Sequence, residues 1–171
     1  MHRKLLLASI VCGLISIAVQ PLSSAATNLP SLTGSWQFVL TPSTPSTTPP
    51  VVPIPGLATF TSNHTVVETD GTEFATVPPP TAAGPIGASP GHGIWQPGNT
   101  PTDLYVEFFS LLFNPDGSLY AENVTTMLVT LNAKGNQFQG SYQINQTMGS
   151  ITRALSSGTV QGRLIPHVPL P

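Results

Sequence analysis

Two short sequences, Asn114-Pro115-Asp116-Gly117 and Asn132-Ala133-Lys134-Gly135, separate three long runs rich in β-branched and aromatic residues. Each is a four-residue connection made of turn formers, so each predicts a tight β-hairpin. The runs, about 103–113, 118–131 and 136–146, therefore read as three consecutive antiparallel strands.

Pairing each hairpin about a four-residue loop places Phe113 opposite Ser118 and Phe108 opposite Asn123 in the first. In the second it places Leu131 opposite Asn136 and Val129 opposite Phe138. One face then carries Leu104, Val106, Phe108, Ser110 and Leu112 on the first strand. Leu119, Ala121, Asn123, Thr125, Met127 and Val129 join them from the second, and Phe138, Gly140, Tyr142 and Ile144 from the third. Both hairpins, read independently, put their more apolar residues on this face. A slip of one residue would turn a strand's side chains to the other side, so the agreement marks the core. The opposite face is mixed. Gln137, Gln139, Ser141 and Gln143 are solvated, whereas Phe109, Leu111 and Phe113 form an apolar patch with Tyr120, Val124 and Leu128. Such a patch needs a cover, from a proline-rich loop or from a second copy of the chain docked near Phe109, Leu111 and Phe113.

The rest of the chain extends the pattern. Residues 35–40 alternate, with Trp36, Phe38 and Leu40 on one side. Residues 57–71 read as a hairpin around Ser62-Asn63-His64, a short strand covers Gly93–Gln96, and a last strand covers about 158–165. Two proline-rich stretches, 41–55 and 77–91, are expected to be long loops, because proline lacks a ladder donor and fixes φ. There is no internal repeat and no amphipathic helix after the leader. The expected fold is all-β: a single closed or nearly closed antiparallel β-barrel of about eight strands with long Pro-rich loops.

The N-terminus reads as a secretory leader. His2, Arg3 and Lys4 precede an apolar run from Leu5 to Val19, and small residues lead to Ala25 and Ala26. The run is shorter than the roughly 20 residues of a membrane-spanning helix. Residues 1–26 are thus expected to be a cleaved signal peptide and 27–171 one domain, secreted or periplasmic and not stably inserted in a membrane. Cleavage would remove Cys12, the single cysteine, so the mature chain would have no disulfide and no thiolate. Its cations would be Lys134, Arg153 and Arg163 against seven acids. A net charge of about −4 argues against nucleic acid as a partner, since that needs clustered Lys and Arg.

Candidate chemistry is sparse. His92 lies between Gly91 and Gly93, eleven residues before Asp103. The pair could be catalytic, but the glycines equally let the chain turn out of the proline loop into a strand. No G-x-S-x-G or H-E-x-x-H motif is present. His64, His92 and His167 lack metal-ligand spacing, so no metal or cofactor is expected. In the register above, Glu107 and Glu122 are diagonal neighbours on the outer face, a solvated pair. Inside, Ser110, Asn123, Thr125 and Tyr142 stand on an apolar wall with Phe108, Met127 and Phe138. These polar groups either bond to one another or water, or orient a small apolar ligand. Inward glycines at 140, 158 and 162 either leave room for that ligand or serve as kinks.

Gly34-Ser35-Trp36 at the first strand resembles the G-x-W signature of lipocalins and other calycins, which are eight-stranded barrels. Arg163 in the last strand resembles the basic residue that packs over that tryptophan. The resemblance implies that Trp36 and Arg163 together close one end of a barrel holding a small apolar cavity. Residues 91–165 also resemble small exported bacterial proteins that share the G-x-G-x-W, the long apolar strand, the N/D-P/A-D-G turn and the G-T-V-x-G close. Dirigent and allene-oxide-cyclase-like barrels have the same strand count. Three functions follow as expectations: a non-enzymatic exported protein binding a small apolar molecule, a structural or oligomerising module with a filled barrel, and a cyclase- or isomerase-like enzyme. Intact-mass spectrometry of exported protein is expected to show a chain beginning near Ala26 or Thr27. A mass retaining Met1 to Val19 would make the segment an anchor.

Overall fold

The computed structural model describes residues 31–43, 52–71 and 87–166. The expected leader, Cys12, His167, residues 44–51 of the first proline-rich stretch and 77–86 of the second lie outside those residues. All regular structure among the described residues is β-strand: β1 (Gly34–Pro42), β2 (Ile54–Phe60), β3 (Thr65–Asp70), β4 (Gly87–Ala88), β5 (Gly91–Pro97), β6 (Asp103–Phe113), β7 (Leu119–Leu131), β8 (Gln137–Met148) and β9 (Ile151–Leu164).

Eight of these strands close a ring. Each pairs antiparallel with the next, in the order β1-β2-β3-β5-β6-β7-β8-β9, and β9 returns to β1 through Phe38↔Gly162 and Leu40↔Val160. Following partners once round the ring returns to β1 about ten residues further along, a stagger that tilts the strands by about 40°. β4 stands outside the ring and lengthens the sheet beside β6, pairing Gly87 with Phe113 and Ala88 with Leu112. The protein is therefore a closed eight-stranded antiparallel β-barrel with one additional strand.

The inner face is the expected one except at Leu119, which pairs with outward Phe113 and is 52% exposed. The hairpin registers also differ. Phe108 faces Thr125, and Ser110 faces Asn123. Leu131 faces Phe138. Both hairpins are offset by two residues from a simple four-residue loop about the turn motif. In the second, the Asn132 N–H donates to the Gln137 carbonyl at 2.9 Å, so the loop begins one residue later. In the first, the Asn114 N–H donates to the Ser118 carbonyl at 2.8 Å and Gly117 has φ 82°, which tightens the turn to three loop residues and moves the register by one. A bulge between Leu112 and Phe113 adds the second residue and turns Leu119 outward. A slip of two preserves side-chain parity, so the core assignment is unchanged beyond the bulge. Glu107 and Glu122, however, cease to be diagonal neighbours: Glu107 pairs with Thr126, and Glu122 with Leu111.

Other boundaries move as well. β9 begins at Ile151, so the last strand is longer than the 158–165 expected, because exposed residues 151–155 continue the ladder with β8. The ends of both proline-rich stretches join strands. Pro42 pairs with Gly158, and Pro55 pairs with Val39. The Pro55 carbonyl accepts from the Gly71 N–H at 2.9 Å, so its missing donor points where β3 has ended and costs no ladder bond.

Inward rings and inward glycines fit together. A Cβ added at Gly56 would stand 2.2 Å from the Phe38 ring, and one at Gly162 would stand 2.2 Å from the Phe138 ring. Gly140 and Gly158 instead press against backbone: their Cβ atoms would lie 1.9 Å from the Leu128 carbonyl oxygen and 2.1 Å from that of Thr41. These three inward glycines therefore leave no room for a ligand. Gly162 seats a ring, and the other two permit close strand approach. Gly93 belongs with the latter, since its Cβ would meet the Glu107 carbonyl oxygen at 1.9 Å. Its φ is not positive, so crowding, not backbone conformation, makes it glycine.

Gly93→Ala and Gly162→Ala are each expected to destabilise by about 1–3 kcal/mol, the range for overpacking. Gly87→Ala, with no atom within 4 Å of the new carbon, is expected to stay within about 0.5 kcal/mol. Urea melts of the three variants check the contrast.

Candidate functional site at the polar end of the barrel

The two ends of the barrel differ chemically. At the end where β1 begins, Trp36 is fully buried, its indole N–H donates to the Leu32 carbonyl at 2.6 Å, and its ring packs on Phe138 with centroids 5.1 Å apart. Phe60, Val66, Trp95, Leu104 and Leu131 bury their side chains beside them. The turns at this end are short, and the Trp95 indole N–H ties one of them by donating to the Thr61 carbonyl at 3.0 Å. This end is plugged.

Trp36 is closed over by Leu32 and Phe138, not by Arg163. Arg163 pairs across strands with Gln37 and Gln137, and its exposed guanidinium donates from Nε and Nη2 to Gln37 Oε1 at 3.1 and 2.8 Å. The inward partner of Trp36 on β9 is Leu164. Alternation forces the result: with Leu164 turned in, Arg163 must face out.

The opposite end carries polar side chains inward. Thr125 and Gln146 are buried there, and Ser110 and Asn123 are half-buried. Ser110, Asn123, Gln146 and Arg153 are successive cross-strand partners on β6, β7, β8 and β9. Arg153 Nη2 donates to Gln146 Oε1 at 3.0 Å, and Gln146 Nε2 donates to Asn123 Oδ1 at 3.3 Å. The Asn123 amide nitrogen and the rest of the Arg153 fork remain available as donors. Tyr142 Oη and Ser156 Oγ lie 3.0 Å apart. Deeper in, Glu68 is buried beside Phe108. A Cβ on Gly91 would stand 2.6 Å from the Phe108 ring and 2.7 Å from Glu68 Oε2, so glycine at 91 makes room for both.

The interior residues expected from the sequence all face inward, but they do not form one pocket. Phe138 belongs to the plug, while Phe108 and Met127 fill the barrel between the ends. Ser110, Asn123, Thr125 and Tyr142 belong to the polar half. Glu68, Gln146, Arg153 and Ser156 were not expected there. Parity was the available signal for Glu68: in Thr65-Val66-Val67-Glu68, an inward Val66 requires an inward Glu68. Gln146 follows Ile144 and Tyr142 in the same way. Arg153 and Ser156 required the unforeseen first half of β9, where the β8–β9 register also shifts at Ile144/Asn145.

The remaining candidates are dispersed. His92 faces Phe109 on the outer wall, whereas Asp103 lies at the far end of β6, bonded through Oδ1 to the Thr130 hydroxyl at 2.8 Å. Six residues of extended strand separate Phe109 from Asp103, about 20 Å. The hydroxyls of Thr100 and Thr130 hold the Asp103 carboxyl below the usual carboxylate range, so it serves the turn as an anion. His64 stacks on Trp95 with centroids 4.5 Å apart. Among the described residues no group of three or more His, Cys, Asp or Glu could hold a metal ion. On the outer wall, the Glu107 carboxylate accepts the Tyr105 phenol and pushes its pKa up to about 12.

No protein-family model matches the chain, and no curated protein is significantly similar to it.

Trp36→Ala is expected to cost about 3–5 kcal/mol, as for a large core truncation. Arg163→Ala is expected to cost little and to add to it within about 0.5 kcal/mol, because the two side chains share no partner. Denaturant melts of both singles and the double measure this, and a coupling of 1 kcal/mol or more would show contact.

Proposed function

We propose that the chain is an exported, non-enzymatic, calycin-type barrel that holds a small amphiphilic molecule at its polar end. One observation carries this reading: the barrel is asymmetric. One end is sealed by Trp36, Leu32 and Phe138. The other presents the Asn123–Gln146–Arg153 row over an apolar wall that includes Leu40, Leu112 and Ile144. A few convergent polar groups on an apolar surface are the usual make-up of a small-molecule site. The packed middle of the barrel limits the ligand to this end rather than the deep cavity a lipocalin-like interior would offer. The connections from Pro42 to Ile54 and from Asp70 to Gly87 both start and finish here.

A second reading is favoured by the outer wall. Val67, His92, Phe109 and Val124 are successive cross-strand partners, and Val67 and Phe109 are 45% and 40% exposed. Leu111 and Phe113 are half-buried, and Ser89 binds the Leu111 backbone at 2.8 and 3.0 Å. Leu111 and Phe113 are thus partly covered, while Phe109 and Leu128, the latter 62% exposed, keep the patch open. It supports an interaction module with a filled barrel.

Anilinonaphthalene sulfonate, an apolar ring system with one anionic group, separates the two. Its fluorescence is expected to rise on binding wild-type protein. Asn123→Leu with Arg153→Ala is expected to weaken binding about tenfold, a change of 1.4 kcal/mol, while Phe109→Ser leaves it unchanged. The opposite pattern would move the function to the outer wall, where sedimentation of Phe109→Ser would then show a change in oligomeric state.

A further inference from the structure

The outer wall carries a second, unrelated feature. Where β8, β9 and β1 run side by side, a groove of about 650 Å³ opens on the solvent face. Its floor is set by register. Gln137, Arg163 and Gln37 form one cross-strand row, and Gln139, Gln161 and Val39 form the next. Four glutamine amides and one guanidinium thus converge on one surface, and Asn132 lines its edge. Single exposed glutamines are ordinary on a strand. Four on three adjacent strands, arranged around an arginine that one of them orients, make a site.

The chemistry of those groups selects a ligand class. A primary amide carries two donors and an acceptor with two lone pairs, which suits hydroxyl groups that both donate and accept. Gln37 Oε1 is taken up by Arg163, and Gln137 Oε1 accepts from Asn132 at 3.5 Å. Arg163 is held by Nε and Nη2 on Gln37 Oε1. That contact orients its plane, and Arg163 lines the groove, where the guanidinium's remaining donors suit a carboxylate. Neither Asp nor Glu lines the groove, and neither does an aromatic residue other than Phe38 and Phe138, whose buried rings face the interior. Lys134 stands in the adjoining turn and adds a second positive charge at this end of the barrel. Asp103, the nearest acid in the register, is turned to the Thr130 hydroxyl. The volume lies within the range of about 300–1,000 Å³ that small-molecule sites occupy.

We infer that this groove is a binding site for an acidic, polyhydroxylated ligand of the hexuronate class, with Arg163 on the carboxylate and the glutamines on the hydroxyls. The site lies on the outer face, so it stands whether or not the polar end of the barrel binds anything.

Isothermal titration of the purified mature chain with trigalacturonate and with maltotriose tests it. The two compare an acidic with a neutral trisaccharide. Trigalacturonate is expected to bind at least tenfold more tightly, with affinity falling as salt is raised. Arg163→Gln is expected to erase the difference between the two sugars, and Gln139→Leu with Gln161→Leu to weaken both. The thermal midpoint of each variant, taken alongside, checks that the fold is intact. Asn123→Leu with Arg153→Ala at the other site is expected to leave the titration unchanged. Equal affinity for the two sugars, no binding of either, or trigalacturonate binding that survives Arg163→Gln would each overturn the assignment.

Discussion

Closing eight strands into a ring leaves an interior of fixed width, and the fit of rings into glycines is how this chain fills it. Phe38 lies over Gly56, Phe138 over Gly162, and Phe108 with Glu68 over Gly91. Each glycine is also a cross-strand neighbour that lets the wall bend, so one substitution would both overfill the core and stiffen the curve. The plug depends on the same fit. Phe138 reaches Trp36 because Gly162 gives its ring a flat seat, and Trp36 then reaches Leu32 to seal the end. The strand order, the filled middle and the placement of polar groups at one end all follow from where the large side chains are accommodated.

Period-two alternation made most of this legible in the sequence, and the errors have one physical origin. Turn length decides register, yet only the parity of that register decides which face is buried. The body of each hairpin pairs two residues away from a simple four-residue loop, and the core is unchanged except at Leu119, where a bulge makes the slip one residue and turns the side chain out. Parity was also enough to place Arg163 outside, since Gly158, Val160, Gly162 and Leu164 form the inward set of β9. The G-x-W resemblance pulled it inward instead, and the alternation of its own strand decides against that. Glu68 shows the converse. A charged residue in an inward row is easily read as solvent-facing, although Val66 two residues before it fixes its side.

What could not be read was the first half of β9. Residues 151–155 are exposed, alternate weakly and contain no strong strand signal, so they form a strand only because β8 is there to pair with. This is tertiary context overriding local preference. The cost was functional, because Arg153 lies in that segment and Ser156 directly follows it, and both belong to the polar end. The Asn123–Gln146–Arg153 row joins residues from three strands, and no local motif can announce a contact made by register alone.

A barrel of this kind hosts unrelated functions, so the ring itself does not choose one. The choice rests on where polar side chains depart from what folding requires. Folding requires the inner wall to be apolar, and it is so around Trp36 but not around Gln146. Folding leaves the outer wall free to be any mixture of polar residues, yet around Arg163 the mixture narrows to amides. At the polar end, burial makes each hydrogen-bonding group costly unless matched, so Gln146 is bonded on both sides and Asn123 keeps a donor free. On the outer wall water competes for every contact, so affinity there must come from several groups acting together on a rigid surface. Three adjacent ladders supply that rigidity. The same closure that fills the interior therefore also holds the exposed groove in shape.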